Sequence, residues 1–151
     1  MSPHRDRWID ESALQHELRD LICLATVADH VRWVLTDDTE LRDWLAESAA
    51  QWRSWAEQVA EQLVTSQIPP DGRVRSLAKD IPVNWVPDGW LSGEAARSLI
   101  DKRLEWVVDW ARYRHSHAKG DDARLLGAVA AGLEAQLRAG RKGADSRLIG
   151  R

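Results

Sequence analysis

A chain of 151 residues suffices for one domain with a sizeable core, and its net charge of −3 with 30% charged residues selects neither nucleic acid nor membrane as a partner. No run approaches the ~20 apolar residues that a membrane helix needs, and MSPHRDRW is followed by charged residues rather than a secretory apolar segment. These features exclude a spanning protein and lead us to expect a cytoplasmic one.

Apolar residues recur at helical spacing in four long segments, and no segment alternates as a strand would, so an all-α fold is expected. Residues 1–8 read as a tail. The first helix spans about Ile9 to Leu35, with Leu14, Leu18, Leu21, Ile22, Ala25 and Ala28 on one stripe. Its one cysteine, Cys23, lies within LICLATVA, which rules out an intrachain disulfide, fits a reducing compartment and reads as a buried small hydrophobe. The second helix follows TDDTEL, where Thr36 to Thr39 offer N-caps and the early acids suit the helix dipole. Leu41, Leu45, Ser48, Trp52, Trp55, Val59 and Leu63 form its stripe, and PPDGR, Pro69 to Arg73, stops it.

A crossover of roughly twenty residues carries Pro82, Pro87 and Gly89, with Trp85 and Trp90 expected on the body of the bundle. Ser92 caps a third helix that ends at Gly120 and turns Leu99, Ile100, Leu104, Val107, Val108 and Ala111 inward. A GDD turn leads to the fourth, with Leu125, Leu126, Val129, Ala130, Leu133 and Leu137 inward. Two helical hairpins joined by one long crossover make a ferritin-like four-helix bundle over residues 9–138. Nine tryptophans, one tyrosine and no phenylalanine give more large aromatic surface than one small monomer needs, which points to oligomerisation.

Glu57 and Glu61 stand four apart on the second helix, where like charges repel. Either water screens them on a polar face with Gln51, Ser54 and Gln58, or a cation sits between them. His30, in VADHVRW, lies close to the apolar stripe of the first helix and reads equally as a core or interface residue. Beyond residue 138 a basic tail, residues 139–151, follows Arg138 and carries Arg141, Lys142, Arg147 and Arg151 among glycines. It is either a cationic arm for phosphates or a solvated terminus. His115 and His117 diverge by about 200° on a helix, so they do not share a metal. The chain has no glycine-rich phosphate loop, zinc-type cysteine pair or Ser-His-Asp set, which argues against hydrolase and nucleotide-driven chemistry.

Four stretches together resemble the Dps family of mini-ferritins: LRDLICLATVADHVRW, WAEQVAEQLVTSQIPPDGR, SLIDKRLEWVVDWARYR and LLGAVAAGLEAQL. The most specific feature is the interval by which His30 precedes Glu57 and Glu61, 27 and 31 positions, the same as between the family's first-helix histidine and its second-helix acid pair. The resemblance implies a hollow homo-dodecamer of the stress response that sequesters iron, oxidises Fe(II) with peroxide, and binds DNA non-specifically through lysine- and arginine-rich tails. It places the metal centre across a two-fold interface, with His30 of one subunit facing Glu57 and Glu61 of the next. It makes Arg138, Arg141, Lys142, Arg147 and Arg151 the DNA-contacting set, and allows association with the nucleoid.

Three departures weaken the ferroxidase expectation. Glu57 stands where the family has aspartate, the family's His-Trp dipeptide is His30-Val31, and its second histidine and second aspartate fall on Arg42 and Ala46. Asp43 and Glu47 repeat the lost spacing one position later, but one residue turns a side chain by about 100°. Two readings follow from the resemblance: iron held on His30, Glu57 and Glu61 with oxidation weakened or absent, or Arg42 pairing with the glutamates in a structural or DNA-compacting cage that has lost ferroxidase activity. A bundle with neither activity is the remaining alternative.

Overall fold

The computed structural model describes residues 3–80 and 86–149. Among the described residues five helices follow one another: α1 (Pro3–Val34), α2 (Thr39–Thr65), the short α3 (Val74–Asp80), α4 (Gly93–His117) and α5 (Gly120–Ile149). Helices α1 and α2 form one antiparallel hairpin and α4 and α5 the other, with α1 also against α4 and α2 against α5. Among the described residues no helix is long and apolar enough to cross a membrane.

The helix ends follow local chemistry. Asp38, in the left-handed region at φ 69°, accepts the Leu41 amide at 3.0 Å and caps α2. Ser92 accepts the Ala95 amide at 3.2 Å and caps α4, as its position suggests. Helix α2 ends at Thr65, before the prolines, where the chain turns through Gln67 at φ 62°. Residues 3–8 belong to α1 rather than to a tail, and the crossover contains α3. Helix α4 stops at His117, and Gly120, at φ 62°, opens α5, whose helix continues through the glycines to Ile149.

The anticipated stripes form the core, with Ile22, Trp55, Leu99 and Leu125 only partly buried against it. Leu14, Leu18, Leu21, Ala25 and Ala28 of α1 are buried with Leu41, Leu45, Trp52, Val59 and Leu63 of α2. Ile100, Leu104, Val107 and Ala111 of α4 and Leu126, Val129, Leu133 and Leu137 of α5 complete it, and Cys23 is buried as expected. Trp52 donates its indole N–H to Gln136 Oε1 at 2.7 Å, tying α2 to α5. Gly132 is required beside it, because a Cβ there would overlap the Trp55 ring. Trp90 departs from expectation: it is 75% exposed rather than packed on the bundle, and Trp85 lies outside the described residues.

Two backbone hydrogen bonds join the hairpins at one end. Leu91 donates to Val34 O and accepts from the Thr36 amide, both at 2.9 Å, in a parallel bridge between Leu35 and Leu91. Asp37 accepts the Gly93 amide at 2.6 Å, and Asp38 pairs with Arg97 at 2.7 Å. Near the other end, Arg114 of α4 reaches into the bundle to Glu17 at 3.0 Å and Asp20 at 2.6 Å, and all three are buried. Two carboxylates share this guanidinium, and Glu17 Oε1 has no hydrogen-bond partner among the described residues.

Burial pushes the Glu17 carboxyl up to about 7, against the opposing pull of Arg114, while the neighbouring Asp20 adds to the rise. An acid whose folded pKa exceeds its unfolded 4.5 binds more protons folded than unfolded, so stability falls as pH rises between those values and the loss is complete above them. The melting temperature of the wild type is therefore expected to decline from pH 5 to pH 8 more steeply than that of Glu17→Gln, which keeps an acceptor for Arg114. Parallel profiles would exclude Glu17 as the titrating group.

Candidate metal centre

His30 lies one turn from the end of α1, partly buried, with Trp33 on the following turn 70% exposed. Next to it, Asp29 accepts from Arg32 at 2.7 Å and pairs with Arg53 of α2. Partial burial opposes ionisation of Asp29, but the two guanidinium hydrogen bonds outweigh it and hold the carboxyl below the usual carboxylate range. This pair fixes the register of the hairpin, with residue 29 level with residue 53.

Glu57 and Glu61 lie on the side of α2 opposite Trp52, Ala56, Val59 and Leu63, and both are exposed. Neither carboxylate makes a hydrogen bond or ion pair to another described residue. They stand four and eight residues beyond Arg53, about 6 and 12 Å further along the axis and away from His30. One chain therefore does not bring the imidazole to both acids, and among the described residues no group of three or more potential ligands gathers within it. Beyond Glu61, Val64 is 62% exposed, so an apolar side chain adjoins the acids as Trp33 adjoins the histidine.

Arg42 donates to Leu35 O at 3.1 Å at the top of the hairpin. It is fifteen residues from Glu57, about 22 Å along α2, so it does not offset the repulsion of Glu57 and Glu61 within one chain. Ala46 is partly buried, and Asp43 and Glu47 are exposed.

The basic segment is a continuation of α5 rather than a flexible arm as far as Ile149. Arg138 is exposed. Arg141 reaches across to α4, to Asp101 at 3.1 Å and Glu105 at 2.7 Å. The side chains of Lys142 and Arg147, and the whole of Arg151, lie outside the described residues. His115 Nδ1 bonds to Ala123 O at 2.9 Å with its ring against Gly127, whereas His117 Nδ1 bonds to Tyr113 O at 2.9 Å, so the two imidazoles are held apart.

The buried Arg114–Glu17–Asp20 group was not anticipated from sequence. Glu17 shares the helical spacing of Leu14, Leu18 and Leu21, and Arg114 that of Val107 and Ala111, and that periodicity is the signal that could have revealed both.

No protein-family model matches the sequence, and no curated protein matches it either. Solved structures do match the fold. Dps92 from Deinococcus radiodurans superposes with a TM-score of 0.87 at 20% identity over 91% of this chain and 87% of that one. Dps from Microbacterium arborescens, determined in a high iron form, gives 0.85 at 13% identity over 96% and 97%. Dps from Vibrio cholerae O1, described as a ferritin-like diiron-carboxylate protein, gives 0.82 at 13% identity over 95% and 93%. The chain has the ferritin-like helical-bundle fold of the Dps proteins.

Proposed function

We propose that the chain is the subunit of a Dps-like cage that holds iron at a centre shared between two copies, with Fe(II) oxidation weakened or lost, and that binds DNA without sequence preference. The observation that carries this reading is a pair of stripes on one hairpin: the partly buried His30 beside the exposed Trp33 on α1, and the exposed Glu57, Glu61 and Val64 on α2. A two-fold axis would set each imidazole against the other copy's acids and cover Trp33 and Val64 at the same time, because an isologous contact pairs each stripe with its complement twice. Carboxylate and imidazole are a donor set suited to iron. Iron is the cargo; His30, Glu57 and Glu61 would hold it.

The position of Arg42 favours a second reading, a cage that keeps assembly or DNA compaction without ferroxidase activity. Its guanidinium belongs to the same hairpin end as His30, where it would meet the facing copy's glutamates and take the place of the metal.

Anaerobic Fe(II) calorimetry on wild type, His30→Ala, Glu61→Ala and Arg42→Ala separates the readings, after mass measurement in solution has established a particle of about twelve subunits. Iron binding should fall at least tenfold in His30→Ala and Glu61→Ala and rise in Arg42→Ala. The Glu57→Ala/Glu61→Ala pair should move subunit stability by no more than about 0.5 kcal/mol, since neither acid has a partner among the described residues of its chain. Equal iron uptake by wild type and Glu61→Ala would remove the iron site and leave the structural cage.

Phosphate contacts repeated over many subunits give avidity without base readout and a steep dependence on salt. Deleting residues 139–151 is expected to abolish retardation of linear duplex DNA at low salt. Unchanged retardation would exclude Arg141, Lys142, Arg147 and Arg151 as the contact set and leave Arg138 alone.

A further inference from the structure

A cavity of about 440 Å³ opens where the first turns of α2 and the N-terminal half of α4 meet the C-terminal half of α5. None of His30, Glu57 and Glu61 lines it. Its floor is apolar, formed by Leu41, Trp44, Ile100, Leu104 and Leu137. Its size falls within the range of small-molecule sites, which combine an apolar lining with a few placed polar groups.

Three features define what would fit. The Trp44 indole is a held wall: it meets Trp52 edge-on at 6.4 Å and 84°, and Trp52 is itself fixed by Gln136. Such a wall suits a planar aromatic ring at little ordering cost. The charged lining balances, Glu40 and Asp101 against Arg97 and Arg141, with Arg97 paired to Asp38 and Arg141 to Asp101 and Glu105. Among the described lining residues no net charge remains to select an ion. Finally, Gln136, which lines the cavity, spends its Oε1 on Trp52, which fixes the amide orientation and leaves Nε2 with no acceptor among the described residues.

The geometry points to a binding site for a neutral, planar aromatic carbonyl compound of two or three fused rings, its ring system against Trp44 and its carbonyl oxygen accepting from Gln136 Nε2. The α5 wall keeps the space open with Ala139, Gly140 and Gly143. A Cβ added at Gly140 would lie 3.7 Å from Trp44 Cζ2, an ordinary contact, so the first carbon of a side chain there meets no clash and would extend toward the ligand's place. The lining comes from a single chain and includes none of the candidate iron ligands, while Arg141 on its rim also belongs to the proposed DNA-contact set.

The test uses the full chain in its native assembly and the neutral naphthyl ketone 6-propionyl-2-(dimethylamino)naphthalene as probe. Its emission should shift to shorter wavelength and saturate at one probe per chain. Gly140→Leu should weaken binding at least tenfold while raising the melting temperature, since leucine replaces a helical glycine. Gln136→Glu keeps the acceptor for Trp52 but loses the amide donor, and should weaken binding several-fold. Trp90→Ser, which alters an exposed indole outside the cavity, should leave binding unchanged. Absence of saturable binding by the wild type, or binding that persists in Gly140→Leu, overturns the proposal. Should Gly140→Leu change the particle mass, Gln136→Glu decides: unchanged affinity there also overturns it.

Discussion

The bundle depends on the backbone pairing of Leu91 with Val34 and Thr36, which returns the chain after α2 to the end where α1 finished. Helix α2 is 27 residues long, about 40 Å by rise, and the crossover has to travel that distance back. The 27 residues between Thr65 and Gly93 have ample reach, and the slack is taken up by α3. Once Leu91 is seated, α4 runs parallel to α2, α5 returns beside it, and cross-hairpin contacts such as Trp52 with Gln136 fall into register. The Asp37 and Asp38 side chains secure the same corner by taking the Gly93 amide and the Arg97 guanidinium.

Most of this architecture was legible, because apolar periodicity reports burial directly and long helices repeat the signal many times. Leu14 to Ala28 on α1 and Leu41 to Leu63 on α2 could occupy only one face each. Helix ends were read less well. PPDGR looked like the stop for α2, yet capping and the left-handed Gln67 end it at Thr65, a choice made by backbone geometry that residue type specifies weakly. Trp90 faces outward, against expectation, for a related reason: an indole in a loop carries no periodicity, and size alone does not say which way it faces.

The candidate site was legible as a spacing but not as a place. The intervals from His30 to Glu57 and Glu61 stand in the sequence, whereas the Asp29–Arg53 pair, which holds them at different levels of the hairpin, is a tertiary fact. The repulsion between Glu57 and Glu61 is relieved within the subunit by solvent, since both carboxylates are exposed. In the basic segment, residue type suggested a row of equivalent cations. Packing distinguishes Arg141, engaged by two acids of α4, from the exposed Arg138. Acids on a different helix cannot be assigned to it from sequence order.

The Glu17 carboxyl, enclosed with Arg114 and Asp20, links the folding reaction to the solvent's acid–base balance. Near neutrality the collapsing subunit takes up hydronium from its surroundings, and an unfolding subunit hands it back. The heat of denaturation consequently includes the ionisation enthalpy of whichever buffer accepts that particle, so phosphate and Tris solutions at one pH report different enthalpies for the same molecule.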